Sequence, residues 1–234
     1  MRRVLNELGF SSIKPVSKPK LTKRHKIARL NLAKKFLFLG KDYWNDVVFT
    51  DESFFSMYND SGKYKIWVGE NEEKPVNETI KYGKKKIMVW GCMSSKGVGD
   101  LHFLDRNMDA LYYEDIFTNN LPSSMSKFGF ENFKLLQDGD PKHRSKLARE
   151  YFEFNNIKLI EWASQSPDLN PIENLWAIIK RRLKGIEFNS INEMKEIVQE
   201  VWQNIDTNIC VNLVNSMSKR IKGVIKAKGG HSKY

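Results

Sequence analysis

The sequence has 234 residues, of which 41% are apolar, and its net charge at neutral pH is +11. This length can bury one full hydrophobic core, while no apolar run reaches the roughly 20 residues that a membrane-spanning helix needs. The two distant cysteines, Cys92 and Cys210, match no metal-binding spacing. The chain also has no glycine-rich phosphate loop, so the composition and motifs argue against a membrane protein, a disulfide-stapled secreted domain and a P-loop ATPase.

The excess positive charge is concentrated at the amino terminus. The first 41 residues hold twelve Lys or Arg against one acidic residue, Glu7, whereas the remaining 193 hold 27 basic and 27 acidic residues. A basic stripe attached to a neutral body predicts contact with nucleic acid. A solvated tail or a nuclear-import signal at 18–26 is an alternative that is compatible with DNA contact. The candidate DNA-contacting residues are Arg2, Arg3, Lys18, Lys20, Lys23, Arg24 and Lys26.

The first elements in the chain are predicted to be helical. Residues 2–9 have apolar side chains at helical spacing and end at a glycine, which indicates the end of a small helical unit. Two prolines, Pro15 and Pro19, predict an extended linker over 11–20. Thr22 is predicted to cap a basic helix over 22–38.

A sheet is predicted to begin near Trp44. Short apolar runs separated by turn residues predict strands over 46–51, 53–57, 64–68, 86–93 and 99–104. A helix over 109–117, whose C-terminal end the sequence does not fix, is followed by a strand over 133–137, a helix over 142–155 and a strand over 157–161. Helices over 171–184, 191–204 and 209–227 complete the chain. This order of elements is typical of an α/β fold with a mixed sheet flanked by helices.

Three acidic residues have a spacing that indicates catalysis. Asp51 and Asp138 each follow an apolar run and Glu173 opens a helix, with 86 residues between the first two and 34 between the second two. Carboxylates on neighbouring strands, facing a third on a helix, can hold two divalent cations. Two cations about 3.5–4 Å apart can clamp the attacking and leaving oxygens of a phosphodiester. The pattern therefore predicts a site that cuts and joins DNA.

The two aspartates also have simpler explanations. Asp51 could be a solvated aspartate at a strand end, and its neighbour Glu52 competes for the same role, although strand alternation places Glu52 on the opposite face of the sheet. Asp138 precedes Gly139 and could belong to a turn, since Asp-Gly and Asp-Pro pairs favour turns. Asp140 is a rival ligand there.

Other polar residues near the triplet leave alternatives open as well. Asn170, Pro171 and Glu173 fit a helix capping box, which would explain the glutamate without catalysis. His143 could approach a phosphate or the metal-bound water, or it could be a helix-start histidine that contacts solvent or a carboxylate. The basic run 180–184 could contact DNA phosphates or form a solvated helical face.

A resemblance to a known family bears on these alternatives. The segment 164–176, Ser-Gln-Ser-Pro-Asp-Leu-Asn-Pro-Ile-Glu-Asn-Leu-Trp, closely resembles the signature of Tc1-like transposases in the Tc1/mariner superfamily. Segments 137–143 and 49–53 look like the second and first acidic blocks of that family, and 86–91 also fits. The gap of 34 residues before the glutamate matches the Asp-Asp-Glu pattern of the family, and the resemblance covers roughly residues 2–225.

The resemblance implies a fold and a chemistry. The expected fold is α/β and ribonuclease-H-like, with a mixed five-stranded sheet flanked by helices and a basic helical N-terminal arm. The expected catalytic and metal-binding residues are Asp51, Asp138 and Glu173, which would hold two Mg²⁺ or Mn²⁺ ions. The expected reaction is cut-and-paste transposition, in which water hydrolyses phosphodiesters at the transposon ends. The freed 3′ hydroxyls then attack a target at TA dinucleotides.

The resemblance also implies partners and a domain organisation. The expected partners are double-stranded DNA and a second copy of the chain in a homodimer, in the nucleus and without a membrane. We expect an arm over 1–41, with the remnant of a helix-turn-helix unit, a catalytic domain over 42–190 and C-terminal helices over 191–234. Members of the family carry two helix-turn-helix units, so the chain is expected to be truncated at its amino terminus.

One residue departs from the family pattern and keeps a rival function open. Gly139 stands where related sequences commonly have Asn, and a glycine loosens the backbone next to Asp138. The rival is a catalytically silent, transposon-derived DNA-binding protein. A general ribonuclease H is a third alternative, which would cleave RNA–DNA hybrids, but the block at 166–173 argues against it.

Overall fold

The computed structural model describes Glu7 and residues 18–57, 85–140 and 142–234. Apart from Glu7, the helical unit predicted over 2–9 lies outside the described residues. The predicted strand over 64–68 and most of the predicted linker over 11–20 lie outside them as well.

Five strands form one mixed sheet in the order β3-β2-β1-β4-β5. They are β1 (Val47–Ser56), β2 (Lys86–Ser94), β3 (Gly97–Leu104), β4 (Lys134–Leu136) and β5 (Lys158–Leu159). β1 pairs antiparallel with β2, and β2 pairs antiparallel with β3. On its other side β1 pairs parallel with β4, which in turn pairs parallel with β5. The predicted α/β class with a mixed five-stranded sheet is therefore confirmed.

β1 is one continuous strand, where the sequence predicted two. Asp51, Glu52 and Ser53 pair in unbroken register with β2, so no interruption separates the two predicted segments. These three residues lie in the middle of β1, just beyond its three-residue pairing with β4. β1 therefore continues because its backbone pairs with β2, and this pairing does not depend on whether the side chains are polar.

Seven helices flank this sheet in the described part of the chain. They are α1 (Lys23–Phe36), α2 (Ala110–Phe128), α3 (Lys146–Phe154), α4 (Pro171–Arg182), α5 (Ile191–Gln203), α6 (Thr207–Asn215) and α7 (Met217–Lys226). The Thr22 side chain caps α1 as predicted, accepting a hydrogen bond from the backbone N–H of His25. In the same ranges every helix is too short or too polar to cross a membrane.

The structure fixes the end of one helix that the sequence left open, and it shows that another predicted helix was wrong. α2 continues past residue 117 and through Pro122, because Leu121, Met125 and Phe128 extend its buried stripe. The helix predicted over 209–227 is two helices, α6 and α7, that meet at Ser216. The Ser216 hydroxyl donates to the carbonyl of Leu213 at 2.6 Å, and this local bond competes with a continuous helix.

The sheet has a hydrophobic cluster on each face. Alternation along β1 sends Val48 into a cluster with α2 and α3, and sends Val47 and Phe49 into a larger cluster with α1 and α4 to α7. The larger cluster extends from Leu32 in α1 to Val224 in α7. The arm helix and the C-terminal helices therefore share a core with the central strands, and the acidic residues lie at the edge of that core.

Candidate active site

The pairing of β1 with β4 places two of the predicted acidic residues side by side. The last pair in the parallel register is Phe49 with Leu136. Two residues further on, the chains reach Asp51 and Asp138, and neighbouring strands are about 4.8 Å apart. A hydrogen bond from the Thr50 hydroxyl to the carbonyl of Leu136, at 3.3 Å, ties the two chains together just before the aspartates.

Helix α4 brings the third acidic residue to the same place. Asn170 is the N-cap of α4, where its side-chain oxygen accepts from the N–H of Ile172 at 3.4 Å. Its amide nitrogen donates to the carbonyl of Thr50 at 3.3 Å, so the start of the helix is fastened to β1. The backbone N–H of Asn170 donates to Pro167 at 3.0 Å, so Glu173 is not needed to complete a capping box.

A tryptophan on α4 makes a direct contact with the first aspartate. The indole N–H of Trp176 donates to Oδ2 of Asp51 at 3.2 Å. Trp176 is itself stacked on Trp202, with ring centroids 5.0 Å apart, and the indole N–H of Trp202 donates to the carbonyl of Gly99 at 2.9 Å. A chain of two indoles therefore fixes the orientation of the Asp51 carboxylate relative to the sheet.

All three carboxylates line one cavity of about 460 Å³. Besides Asp51, Asp138 and Glu173, its wall includes Asp140, Asn170 and the segment 162–167. The triplet that the sequence spacing selected is thus assembled at one place in the fold. Glu52, the rival of Asp51, points to the opposite face of the sheet, as strand alternation predicted.

The electrostatic environment of this cavity disfavours negative charge. Burial raises the pKa of Asp51 well above its usual range, and the carboxylates of Glu173 and Glu52 raise it further. Burial also raises the pKa of Glu173, against the opposing effect of Lys180 on the same helix. Carboxylates gathered in this way repel one another and favour the binding of a cation.

The far side of Asp138 is held by a buried histidine that the sequence had left ambiguous. Nδ1 of His143 lies 2.7 Å from Oδ1 of Asp138, and Nε2 lies 3.3 Å from Oε1 of Glu52. These are charge contacts, since neither ring nitrogen makes a well-directed hydrogen bond. The ring is stacked on Tyr113 with centroids 4.2 Å apart. His143 therefore contacts two carboxylates from a buried position.

The charge of this histidine follows from its neighbours. Burial alone would lower the pKa of His143, but the carboxylates of Asp138 and Glu52 outweigh it and raise the pKa to about 9. The imidazole is accordingly protonated at neutral pH. It places one positive charge directly behind the Asp138 carboxylate.

Comparisons with known proteins identify the family. The sequence pattern of the DDE superfamily endonucleases matches residues 46–195. The Tcb2 transposable element transposase of Caenorhabditis briggsae is 36% identical over 244 aligned positions, which cover 100% of this chain and 87% of that protein. The chain belongs to the Tc1-like transposases. The predicted Tc1/mariner resemblance is therefore confirmed.

Solved structures show the same fold. A Mos1 transposase paired-end complex with left transposon end has a TM-score of 0.88 and 21% identity, covering 99% of this chain and 70% of that chain. A Mos1 mariner paired-end complex with Mn has a TM-score of 0.84, again at 21% identity, and covers 99% of this chain and 71% of that one. The transposase thus has the ribonuclease-H-like fold that the resemblance implied.

The basic arm of the transposase is only partly described. Arg2 and Arg3 lie outside the described residues. Lys18, Lys20 and Lys26 line a cavity of about 480 Å³ beside the C-terminal tail. Lys23 and Arg24 are exposed on the first turn of α1. These positions leave the DNA-contacting role of the arm as a prediction.

Two residues that sequence reasoning missed join the arm to the signature segment of the transposase. Arg29 on α1 is fully buried and donates from two nitrogens to both carboxylate oxygens of Asp168, each at 2.8 Å. Its remaining donors reach the carbonyls of Gln165, Gly229 and Gly230. The only signal in the sequence was an arginine among the apolar positions of a basic helix, which pattern alone does not distinguish from its solvated neighbours.

Proposed function

We propose that this transposase uses Asp51, Asp138 and Glu173 to hold two Mg²⁺ or Mn²⁺ ions, with which it cleaves transposon ends and transfers the freed strand. One observation carries the proposal: three carboxylates from β1, the chain after β4 and the start of α4 line a single cavity. Their order and spacing are those of the Asp-Asp-Glu pattern.

The chemistry of the donor set fits hard divalent cations. Mg²⁺ and Mn²⁺ prefer carboxylate and water oxygens, and all three candidate ligands are carboxylates. Within residues 18–57, 85–140 and 142–234, no three His, Cys, Asp or Glu side chains are close enough together to form a complete metal-binding site. Repulsion among the carboxylates explains their separation, so we expect the side chains to draw together around the ions. The bound ions would supply activation of the nucleophile and stabilisation of the leaving oxygen.

The protein's own residues prepare this site. The indole of Trp176 fixes one oxygen of Asp51, and the amide of Asn170 fastens the start of α4 to β1. The protonated His143 holds Asp138 from behind. The raised pKa of Asp51 means that protons compete with cations for this carboxylate. Both steps of transposition are in-line displacements at phosphorus, so one site can perform both.

The proposed substrate is double-stranded DNA, as transposon ends and as a TA target. One of the Mos1 complexes named above contains a left transposon end and the other contains Mn, and their fold matches almost the whole of this chain. We extend to this chain their paired-end arrangement, as a homodimer that joins two ends. We also propose a nuclear location, because the basic segment 18–26 is of the type read as an import signal. The arm over 1–41, the domain over 42–190 and the helices over 191–234 remain the proposed division.

A strand-transfer assay tests the function. The full chain would be incubated with Mn²⁺, a pre-cut duplex carrying the terminal sequence that flanks its coding region, and a plasmid containing TA sites. We expect joined products from the wild type and none from Asp138→Asn. Asp115→Asn is the matched control, because Asp115 is an exposed aspartate on α2, and it should retain wild-type yield.

Two other results would contradict the proposal. DNA binding without product in the wild type would favour the catalytically silent, transposon-derived protein. Cleavage of an RNA–DNA hybrid in preference to the duplex would favour a general ribonuclease H.

A further inference from the structure

We propose that Arg144 is a DNA-contacting residue of this active site, whose guanidinium fills the space over Gly139 and binds a backbone phosphate of the entering strand. This inference rests on the transposase function proposed above, since DNA must reach the carboxylate cavity. It also explains the one residue of the second acidic block that departs from the family pattern.

Gly139 is the reason that the guanidinium fits. A Cβ added at residue 139 would lie 2.3 Å from Nη2 of Arg144 and 3.2 Å from the hydroxyl of Ser164. Real Cβ atoms essentially never approach another heavy atom closer than 3.0 Å. A side chain at residue 139 and the Arg144 guanidinium in its observed position therefore exclude each other. The absence of a side chain at Gly139 is what allows the guanidinium to lie there.

The guanidinium links two walls of the site. Nη2 of Arg144 donates to the carbonyl of Gly139 at 2.6 Å and makes a longer contact of 3.4 Å to the hydroxyl of Ser164. Gly139 directly follows Asp138, and Ser164 belongs to the segment 162–167 that lines the carboxylate cavity. Both contacts use Nη2, so neither engages Nε or Nη1 of the planar fork. Either of these nitrogens can donate a charge-assisted hydrogen bond to a phosphate oxygen.

The surroundings of Arg144 suit a polyanion. A second cavity, of about 490 Å³, adjoins the carboxylate cavity at Asp138 and Gly139, and its lining includes two arginines, Arg144 and Arg149, and one further acidic residue, Glu161. The Arg144 side chain is exposed to solvent. Phosphates follow one another along a DNA strand at about 3.4 Å of helix axis, so a strand with one phosphate at the carboxylates carries others over the adjoining cavity. A cation there offsets the repulsion between DNA and the acidic cluster.

DNA binding with a salt series tests the contact. Anisotropy would follow a fluorescein-labelled, pre-cut transposon-end duplex binding to the full chain, with Ca²⁺ in place of Mn²⁺. The variants are Arg144→Ala, Arg144→Lys, Gly139→Ala and the double variant Gly139→Ala with Arg144→Ala. Arg106→Ala is the matched control, because Arg106 is an exposed arginine that follows β3, at the opposite edge of the sheet. Thermal melting would verify that each variant is folded.

The loss of one phosphate contact has a defined signature. We expect Arg144→Ala to raise Kd about tenfold and to lower the slope of log affinity against log salt by about 0.9. Gly139→Ala should reproduce this effect without unfolding, because the displaced Nη2 is the far end of a flexible side chain. The double variant should be no worse than either single variant. Arg144→Lys should restore the slope but only part of the affinity, because lysine lacks the fork.

Several outcomes would overturn the inference. An unchanged salt slope in Arg144→Ala would do so, as would additive losses in the double variant. Reduced strand transfer with unaltered DNA binding would make Arg144 a structural link only, which also contradicts the proposal. The binding measurement requires no joined product. A wild type that binds DNA but joins none would therefore refute the proposed function. In that case the change in salt slope between wild type and Arg144→Ala would still decide this inference.

Discussion

Two carboxylates of the signature segment, five residues apart, have opposite surroundings. Asp168 is 7% exposed, accepts from two nitrogens of Arg29 and receives the backbone N–H of Ser232. Burial would raise its pKa, but Arg29 and Ser232 outweigh this and lower the pKa. The Glu173 side chain is accessible to solvent, but its carboxylate faces Asp51 and Asp138 across a cavity where partial desolvation raises its pKa. The protein balances the charge of the first carboxylate, which we expect to stabilise the fold, and in the proposed function it leaves the charge of the second available to a cation.

The largest effect should come from removing the negative charge of Asp51 in the candidate active site. We expect Asp51→Asn to lower strand-transfer activity by at least about a thousandfold, since the cations supply several kcal/mol of transition-state stabilisation. The same change should raise the free energy of unfolding by about 1 kcal/mol, because a buried carboxylate no longer faces like charges. Product yield and chemical denaturation measure the two effects. A variant that was both inactive and less stable would contradict the contrast with Asp168.

Removal of the cationic partner of Asp168 should instead destabilise the fold. Arg29→Met leaves the buried Asp168 carboxylate without its partner, so we expect the free energy of unfolding to fall by about 3–5 kcal/mol. Lys35→Met is the matched control, since the Lys35–Glu161 ion pair is exposed to solvent, and it should leave the melting temperature unchanged. Equal destabilisation by both variants would show that burial does not set the strength of these pairs.

The pH dependence of stability should distinguish Asp168 further. Its folded pKa is lower than the ordinary value of 3.8, so its stabilisation is present above that value and is lost as pH falls through the lower folded pKa. We therefore expect the difference in unfolding free energy between wild type and Asp168→Asn to be constant near neutral pH. The difference should shrink below about pH 4. Denaturant titrations across the acid range measure it, and a gap that widened toward acid would contradict the assignment.

The smallest effect should come from the indole that orients Asp51. Trp176→Phe keeps an aromatic ring against Trp202 but loses the bond to the carboxylate, so we expect kcat to fall about tenfold with KM for DNA unchanged. Trp202→Phe is the control, because it loses the hydrogen bond to the carbonyl of Gly99 and no bond to a carboxylate. Each of the two variants should lower the free energy of unfolding by about 1 kcal/mol. Only Trp176→Phe should also lower kcat. Equal kinetic effects in the two variants would remove the special role of Trp176.

Much of the fold could be predicted because its signals are local. The apolar run before Asp51, the threonine that caps α1 and the Asn-Pro start of α4 each act within a few residues. The wrong or open boundaries arose where contacts between distant parts of the chain override local signals. β1 continues through polar residues because β2 pairs with it, and α2 continues through Pro122 because its later turns are buried.

The candidate site was predictable in its acidic residues and unpredictable in their partners. The spacing of Asp51, Asp138 and Glu173 and the resemblance of the signature segment were enough to select the triplet. His143 was noticed, but its position between two carboxylates depends on the pairing of β1 with β4. Arg144 gave no signal, because its significance lies in the space that Gly139 leaves for its guanidinium, which only the folded chain shows.

The sequence by itself thus determined the family, the order of the elements and the three carboxylates, since periodicity, turn residues and motif spacing are written in neighbouring positions. Only the tertiary structure decided which carboxylates have a cationic side chain beside them and which face other carboxylates across the cavity. Arg29 and Asp168 are 139 residues apart in the chain, yet they form a buried ion pair. Electrostatic interactions act through distance in space, and a pattern along the chain does not contain that distance.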